Sequence, residues 1–373
     1  MRRKVGKIFR LRNILTVLTV MALLALILSY LSTLIHPETV RILPLFGLAY
    51  WIIFLGNVIL LITWFILKSK MKWLVLGVLL VGGTIPFRTF CFGWDNANDT
   101  QSTELKLVSY NVRLFDLYNP SSKEGLKTRS KIFNYLRRQE ADVYCLQEFY
   151  HQEKLPQYDR KDTLKEILSS PHLHTRFSSP DFKTQSFGVA IYSKHKIVRQ
   201  GEITFSDVDK TYNYCIYVDI VKRADTFRVY NVHFQSIHFQ KDDYALFNDE
   251  ESSTGEMDSN ATKLISKLLD AYPIRAEQAK KVLKHISGSP HPVIVCGDFN
   301  DTPMSYTYSQ FSQDLVDAYR NTSIGVGSTY AGKVPAGRID YIFHDQSMGS
   351  CRFAIQKEKL SDHYGISCTV FSH

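Results

Sequence analysis

The first hundred residues are dominated by apolar runs, whereas the rest of the chain alternates short apolar stretches with polar ones. Three runs without a charged residue cover residues 13–35, 42–67 and 73–87. A helix that crosses a bilayer needs about 20 apolar residues, so the third run is short unless the span continues beyond Arg88. The pattern predicts a membrane anchor of about three transmembrane helices over residues 1–94.

Two of these runs have a second interpretation. The first run is longer than the core of a cleaved signal peptide, no small-x-small site follows it, and further apolar runs come after it. A signal peptide is therefore the weaker interpretation of residues 13–35. For residues 73–87, a re-entrant or interfacial segment remains an alternative to a full span.

The basic residues of the anchor indicate its orientation. The first loop contains only Arg41, whereas the second contains Lys68, Lys70 and Lys72. Lys and Arg favour the cytoplasmic side of a membrane protein. Three spans would make this a multi-pass membrane protein with residues after the anchor on the periplasmic or extracellular side, a localisation that depends on the third span. The N-terminal tail, predicted to be cytoplasmic, carries Arg2, Arg3, Lys4, Lys7, Arg10 and Arg12.

After the anchor, residues 95–103 are polar and are predicted to form a linker. Residues 104–373 are predicted to form one α/β (α+β) domain, because strand-like runs are interspersed with amphipathic helical ones. A polar, acidic stretch at 240–260 is predicted to be a loop at the rim of this domain. The predicted helices are "KTRSKIFNYLRRQ" and "IRAEQAKKVLKHI", and the clearest strands are "LKLVSYNV", "ADVYCLQE", "FGVAIYSK", "YCIYVDIV", "TFRVYNVHF", "PVIVCGDFN", "RIDYIFH" and "GISCTVF".

The net charge of +9 belongs mainly to the front of the chain. Residues 1–100 contain 11 Lys and Arg and 3 Asp and Glu, which leaves a net charge of only +1 for residues 101–373. The predicted domain therefore lacks the overall basic field expected of a protein that binds nucleic acid by charge alone.

The six cysteines do not predict a disulfide framework or a zinc site. No C-x-x-C motif and no Cys/His pair with zinc spacing occurs in the sequence. Most of the cysteines lie in strand-like apolar runs, so they are predicted to be buried free thiols.

Polar residues that can carry chemistry lie near the ends of the predicted strands. Each one by itself is explained by a helix cap, a turn or a satisfied histidine. Strand ends in a layered sheet protein converge on one edge, however, and ligands bind there. The residues are Asn111, Glu148, His233, Asp298, Asn300, Asp340, Asp362 and His363.

The chemistry of this set favours metal-assisted hydrolysis of a phosphate ester. Oxygen ligands without cysteine suit Mg²⁺, with Mn²⁺ or Ca²⁺ as alternatives, and such an ion completes its shell with water and substrate phosphate. Two histidines beside carboxylates can transfer protons and stabilise charge. Together they fit the attack of water on phosphorus.

The order of these motifs resembles the endonuclease/exonuclease/phosphatase superfamily, the deoxyribonuclease I-like fold. The matching segments are "SYNVR", "DVYCLQE", "FGVAIYSK", "YNVHF", "GDFNDTP", "RIDYIF" and "SDHYGI", which span about residues 104–371. The resemblance implies a four-layer sandwich in which two mixed β-sheets are flanked by helices, preceded here by the transmembrane helices.

The resemblance also implies a role for each residue at the metal and the attacking water. Glu148 would be the principal metal ligand, with Asn111 beside it and Asp362 supporting the metal site. Asp298 would orient or deprotonate the attacking water. Asn300 would hold a phosphate oxygen in the transition state.

The two histidines would act on the phosphate itself. His363 would contact the scissile phosphate, with Asp340 fixing its tautomer and charge, and His233 would protonate the leaving oxygen. Abasic-site nucleases of the superfamily usually have Tyr at the position of His233, so this chain is more similar to the deoxyribonuclease, sphingomyelinase and inositol-phosphatase branches. A carboxylate partner for His233 is not evident, and Asp181 is a weak candidate. Arg113 stands where some members have a carboxylate, which implies a single metal or an added phosphate contact.

The sequence thus predicts a membrane-anchored, divalent-metal-dependent phosphoesterase. Its substrate would be a phosphate ester, either a lipid head group, nucleic acid or a phosphorylated metabolite, and no obligate protein partner is evident beside the lipid bilayer. A nuclease acting on extracellular nucleic acid is the first alternative. An inactive membrane scaffold with the same fold is the second, and the intact set of site residues disfavours it.

Overall fold

The computed structural model describes most, but not all, of the chain. The described residues are 2–95, 103–117, 122–151, 160–177, 186–205, 213–237, 254–332 and 337–372. The predicted linker therefore lies largely outside the described residues, apart from its first and last positions.

The N-terminal region is helical, but its helices differ in length. The helices are α1 (Arg2–Leu31), α2 (Leu43–Leu48), α3 (Tyr50–Ile66), α4 (Met71–Val81) and α5 (Pro86–Thr89). Within α1, the 21 residues Leu11–Leu31 are long and apolar enough to cross a membrane. Helices α3 and α4 are apolar but have only 17 and 11 residues. One predicted span is thus supported by length and composition, and the count of three stays a prediction.

Two hydrogen bonds join polar side chains of α1 and α3 to neighbouring segments of this region. The indole Nε1 of Trp64 on α3 donates to Thr19 Oγ1 on α1, at 2.9 Å. At the far end of α1, the Ser29 hydroxyl donates to the carbonyl of Phe46. Tyr30 lies against the start of α3 at Tyr50 and also against Gly82, just after α4. The C-terminal end of α1, the start of α3 and the end of α4 therefore lie together at one end of the predicted anchor.

The remaining chain forms two six-stranded sheets and a short two-stranded ribbon, together with helices on their outer faces. The helices are α6 (Ser122–Gln139), α7 (Arg160–Ile167), α8 (Thr254–Ile286), α9 (Tyr306–Asp314) and α10 (Ala318–Thr322). The strands are β1 (Cys91–Phe92), β2 (Glu104–Asn111), β3 (Val143–His151), β4 (His172–Phe177), β5 (Ser186–Ser193), β6 (Ile197–Ile203), β7 (Tyr214–Lys222), β8 (Asp225–His233), β9 (Val293–Asp298), β10 (Leu315–Asp317), β11 (Ile324–Gly325), β12 (Asp340–Asp345), β13 (Met348–Ile355) and β14 (Ile366–Ser372).

Each sheet has a parallel pair of strands at its centre. The strand orders are β13-β14-β2-β3-β5-β4 and β10-β12-β9-β8-β7-β6. The pairs β2–β3 and β8–β9 are parallel, and the strands beside them are antiparallel. Apolar side chains from both sheets meet between them, among them Leu107, Cys145, Ile216, Val229 and Ile294. The predicted sandwich of two mixed sheets flanked by helices is confirmed.

The outer helices follow the predicted amphipathic segments, with one difference in length. Helix α6 packs Ile132 and Leu136 on one sheet, and α8 packs Ala279 and Val282 on the other. Helix α8 begins at Thr254, so the end of the predicted loop at 240–260 is helical instead. Residues 254–260 read TGEMDSN and have no apolar periodicity, so a periodicity argument does not detect this start of the helix.

Candidate active site

The candidate residues meet because the strands that carry them end at the same edge of the sandwich. In the second sheet, His233 is the register partner of Asp298, and Asp298 is the partner of Asp340. Asn111 ends β2 of the facing sheet. Its amide Nδ2 crosses the gap and donates to Asp298 Oδ2 at 3.0 Å. Residues far apart in sequence are therefore held on rigid strands within hydrogen-bonding distance.

Two site residues have left-handed backbone conformations that turn their side chains toward this edge. Glu148 has φ 47° and lies in a β-bulge, where the pairing of β3 with β5 shifts register. Asn300 has φ 52° in the turn after β9. Such conformations are costly for residues other than glycine and are maintained by surrounding contacts. Bulges near active sites commonly redirect a side chain in this way.

Asp298 lies at the centre of the site. Its Oδ1 accepts the backbone N–H of Asn300 at 2.8 Å. Its Oδ2 lies 3.8 Å from His233 Nε2 and 3.6 Å from His363 Nε2. The side chain is only 1% exposed. A buried carboxylate surrounded by hydrogen-bond donors can hold and orient one more polar group, such as a water molecule.

His363 and Asp340 form a buried hydrogen-bonded pair. His363 Nδ1 lies 3.0 Å from Asp340 Oδ2. Burial alone would lower the pKa of His363, but the carboxylates of Asp340 and Asp298 outweigh it and raise that pKa well above its ordinary value. Burial raises the pKa of the Asp340 carboxyl to about 6, against the opposing effect of His363. The arrangement favours a protonated imidazole whose Nε2 faces the centre of the site.

His233 approaches the same centre from the other side. The ring is 4% exposed, and its Nε2 lies 3.9 Å from Glu148 Oε1. Within the described part of the chain, this nitrogen is buried without a hydrogen-bond partner. It is therefore available to exchange a proton with a bound group. The weak candidate for its carboxylate partner, Asp181, lies outside the described residues.

Glu148, Asn111 and Asp362 lie together, with the Asn111 amide beside Glu148 as predicted, and the metal-ligand role of the three residues stays a prediction. Asn111 Oδ1 accepts the backbone N–H of Arg113 at 3.1 Å, and its Nδ2 points to Glu148 Oε1 at 3.3 Å. The Asn111 amide nitrogen thus donates to both Glu148 and Asp298 and lies between their carboxylates. The amide oxygen accepts the N–H of Arg113. Asp362 Oδ2 lies 3.7 Å from Arg113 Nε, on a guanidinium that is about half exposed and can reach a substrate phosphate.

Sequence reasoning missed the residues that support this site. Asn231 is fully buried, accepts from Gln147 Nε2 at 2.7 Å and donates to the carbonyls of Leu146 and Ala190, so it ties the two sheets together behind Glu148. Thr329 Oγ1 accepts the backbone N–H of Asp340. Ser361 Oγ donates to the carbonyl of Asn111 and accepts the N–H of His363. A buried polar residue in an apolar strand, as in "RVYNVHF", was the available signal for Asn231.

The model of the Endonuclease/Exonuclease/phosphatase family matches residues 108–363, more than half of the chain. This chain belongs to that family. A family described as a domain of unknown function (DUF8431) matches residues 12–90. Family membership identifies the chain as a phosphoric ester hydrolase of a family whose members generally depend on divalent metals. No curated protein matches the chain.

Solved structures that are similar to this chain have the same fold. An endonuclease/exonuclease/phosphatase family protein from Bacteroides thetaiotaomicron aligns with TM-score 0.53 and 17% identity, covering 73% of this chain and 99% of that one. A second, from Bacteroides vulgatus, aligns with TM-score 0.52 and 18% identity over 73% of this chain and 100% of that one. A functionally unknown conserved protein from Enterococcus faecalis V583 aligns with TM-score 0.51 and 14% identity, over 72% and 100%.

The donors at the site of this endonuclease/exonuclease/phosphatase family protein fit a hard divalent cation. Withdrawal from water raises the pKa of the Glu148 carboxyl, His233 counteracts the increase, and the nearby Asp362 carboxylate adds to it. Two carboxylates that disfavour each other's ionisation are stabilised together by a cation. A second group of potential ligand atoms, from Asp298, Asp340 and His363, lies within 4.8 Å of one another. Because Asp340 engages His363 Nδ1 and favours its protonated form, this group is better suited to proton transfer than to metal binding.

Proposed function

We propose that this protein is a membrane-attached, divalent-metal-dependent phosphoesterase that hydrolyses its substrate by attack of water. The observation that carries the proposal is the convergence of two imidazole Nε2 atoms, from His233 and His363, on one buried carboxylate, Asp298. A water molecule oriented by Asp298 would stand between the two imidazoles, which is the arrangement needed to move protons around a reacting phosphate.

Each residue then has a separate task. Asp298 orients the water and accepts its proton, and the protonated His363 stabilises negative charge on the phosphate. His233, whose Nε2 has no hydrogen-bond partner in the described chain, donates a proton to the leaving oxygen. One N–H of the Asn300 amide holds the carbonyl of Phe234 at 3.0 Å, and the second can donate to a phosphate oxygen.

Glu148, with Asn111 beside it, and Asp362 are the residues that would hold the metal. We propose Mg²⁺, with Mn²⁺ or Ca²⁺ as alternatives, because the donors are oxygens. A bound divalent ion polarises the phosphate ester and lowers the pKa of water. Arg113 would add a phosphate contact where some family members have a carboxylate.

The N-terminal helices suggest where the enzyme acts. We place the N-terminal tail and the turn with Lys68 and Lys70 in the cytoplasm and the catalytic domain on the periplasmic or extracellular side. The net charge of +1 on residues 101–373 gives little support to binding of nucleic acid. A phosphate ester near the membrane, such as a lipid head group, is the favoured substrate, ahead of nucleic acid and soluble metabolites.

The metal dependence is tested by Glu148→Gln, which keeps the side-chain shape but removes the charge that holds the cation. Hydrolysis of bis-p-nitrophenyl phosphate by the full chain should fall by orders of magnitude and recover in part at excess Mg²⁺. Glu166→Gln, at an exposed position on α7, is the matched control and should leave the rate unchanged. Full activity of the unaltered protein in a chelator would contradict the proposal. A panel of sphingomyelin, phosphoinositides, DNA and RNA then ranks the substrates.

A further inference from the structure

The short ribbon formed by β1 and β11 exposes an unusually apolar face. Phe92 is 66% exposed, Trp94 76%, Ile324 65% and Val326 49%. Phe92 and Ile324 are register partners in the antiparallel pair. Trp94 and Val326 each lie two residues further along their own chain segments. Phe92 and Ile324 share one face of the ribbon as cross-strand partners, and the exposed Trp94 and Val326 follow directly after its two strands, so these four apolar side chains are called here the ribbon face.

The ribbon face is continuous with the anchor. β1 begins two residues after α5, and the Phe92 ring contacts Phe87 of that helix and Phe90. The backbone N–H groups of Gly93 and Trp94 donate to the carbonyls of Ser323 and Asn321, which fixes the segment after the anchor to the catalytic domain.

The catalytic domain sits on one end of the anchor helices, the end from which the ribbon emerges. Ser32, just after α1, donates to the carbonyl of Met304 at 3.0 Å. Met304 itself is 2% exposed and packs with Leu26, Tyr30 and Tyr50 of the anchor. The chain turns at Lys68 and Lys70 at the opposite end of α3. If a bilayer surrounds α1, the bilayer surface that faces the catalytic domain therefore lies beside the ribbon face.

The occupant that fits this face is the interfacial layer of that bilayer. The face combines a Trp with aliphatic residues and Phe, and Trp is favoured at the boundary between lipid and water. A second protein would have to bind within the thickness of the head groups to reach it. The chain also leads directly from this face to the active site. Three residues after Val326, Thr329 holds the backbone of Asp340, and Tyr330 pairs with His363.

We infer that the ribbon face inserts into the lipid–water interface and holds the catalytic edge next to the head groups of the same membrane. The inference rests on the proposed membrane attachment and adds to it a second contact with the bilayer. From Val326 to Tyr330 the chain covers about 13 Å at most. The site then lies within reach of a phosphate in the head-group layer, whereas a domain on a free tether would take substrate from solution.

The first experiment uses the full chain in vesicles that contain phosphatidylcholine brominated near the head group. The protein has four Trp, and Trp94→Phe removes only the one on the ribbon face. The difference in emission between the unaltered protein and Trp94→Phe reports Trp94. The emission of Trp94→Phe reports the three Trp residues of the anchor. We expect bromolipid to quench both signals and aqueous iodide to spare Trp94. Iodide quenching of Trp94 with bromolipid quenching of the remainder would overturn the inference but leave attachment intact. If bromolipid quenched neither Trp94 nor the remaining Trp residues, the proposed membrane attachment would be overturned as well.

The second experiment measures the consequence for catalysis. Phe92→Ser with Ile324→Ser should lower hydrolysis of a vesicle-embedded phospholipid at least tenfold and leave hydrolysis of bis-p-nitrophenyl phosphate within twofold. Val198→Ser is the control, because Val198 is 52% exposed on β6, at the opposite edge of its sheet from β10. Equal loss on both substrates, or unchanged activity on the vesicle substrate, would overturn the inference. Inactivity of the unaltered protein on bis-p-nitrophenyl phosphate would instead contradict the proposed function.

Discussion

At the scale of single residues, the site depends on how Asp340 controls His363. The carboxylates of Asp340 and Asp298 raise the pKa of His363 well above its ordinary value against the effect of burial, which favours the protonated imidazole. A group whose pKa is raised keeps its charge until the pH exceeds that raised value. The decrease of kcat at high pH should therefore report the loss of the proton from His363.

Asp340→Asn removes one of the carboxylate charges that raise the pKa of His363 but keeps a hydrogen-bond partner at Nδ1. The pKa of His363 should fall, so the alkaline limb of the kcat profile should move to lower pH, and kcat should fall less than in His363→Ala. The measurement is kcat against pH for both variants. Asp314→Asn, on an exposed residue at the end of α9, is the control. An alkaline limb that stays in place in Asp340→Asn would show that Asp340 does not set the charge of His363.

His233 is predicted to be the general acid, and the leaving group tests this role. His233→Ala should lower kcat by roughly 10²–10⁴-fold on an alkyl phosphodiester, with a smaller change in KM. The defect should shrink on a nitrophenyl ester, because nitrophenolate departs without a proton. The defect of His363→Ala should be similar on both esters. Equal defects of His233→Ala on the two substrates would leave His233 as a phosphate-positioning group.

At the scale of elements, the close pairing of β8 with β9 brings His233 beside Asp298. Gly297 has φ 148°, and a Cβ at this position would lie 2.0 Å from the carbonyl oxygen of Val232. Only glycine allows the two strands to approach this closely without a shift of the backbone. The glycine of "GDFN" is thus required by the close approach of the two strands that carry the candidate residues His233 and Asp298.

Gly297→Ala should therefore lower activity by separating His233 from Asp298. We expect a loss of kcat of at least tenfold, since small displacements of catalytic groups have large effects, and a destabilisation of about 1–3 kcal/mol. Gly288→Ala is the control, because a Cβ there meets only the His285 carbonyl at 3.8 Å. Urea unfolding and steady-state kinetics of both variants give the two quantities. Unchanged kcat in Gly297→Ala would mean that the strands adjust without moving the site.

At the scale of the whole molecule, the burial of the cysteines bears on the proposed position of the domain outside the cytoplasm. All six are free and buried. Burial raises the pKa of the Cys215 and Cys368 thiols, which disfavours the reactive thiolate. Free thiols in this environment resist oxidation, so their presence does not oppose a periplasmic or extracellular position.

The topology itself is tested by a reporter fused after Thr100. An enzyme that is active only outside the cytoplasm should be active at this fusion point, and the same enzyme fused after Lys70 should be inactive. The pair of fusions brackets α4, whose 11 residues are short for a span. Activity of a cytoplasm-only reporter after Thr100 would place the catalytic domain inside the cell and refute the predicted orientation.

The sequence by itself determined the fold class and the position of the candidate site along the chain. Alternating apolar residues specify strands through local physics, and glycine, asparagine and carboxylates at strand ends mark the turns of one functional edge. These signals depend only on neighbouring residues in the sequence, so they can be recognised without knowing which strands pair. The start of α8 and the lengths of the anchor helices were less predictable, because a polar extension or a break in an apolar run has a weak local signal.

Only the tertiary structure decided how the site residues face each other. Asn111 and Asp298 are 187 positions apart, and nothing local indicates that the amide nitrogen, not its oxygen, meets the carboxylate. The supports Asn231, Thr329 and Ser361 are ordinary polar residues until strand pairing buries them beside Glu148, Asp340 and His363. The contact of Met304 with the anchor likewise arises from packing between distant segments. Hydrogen-bond direction and burial depend on neighbours that only folding brings together, and this is why the sequence alone does not contain them in readable form.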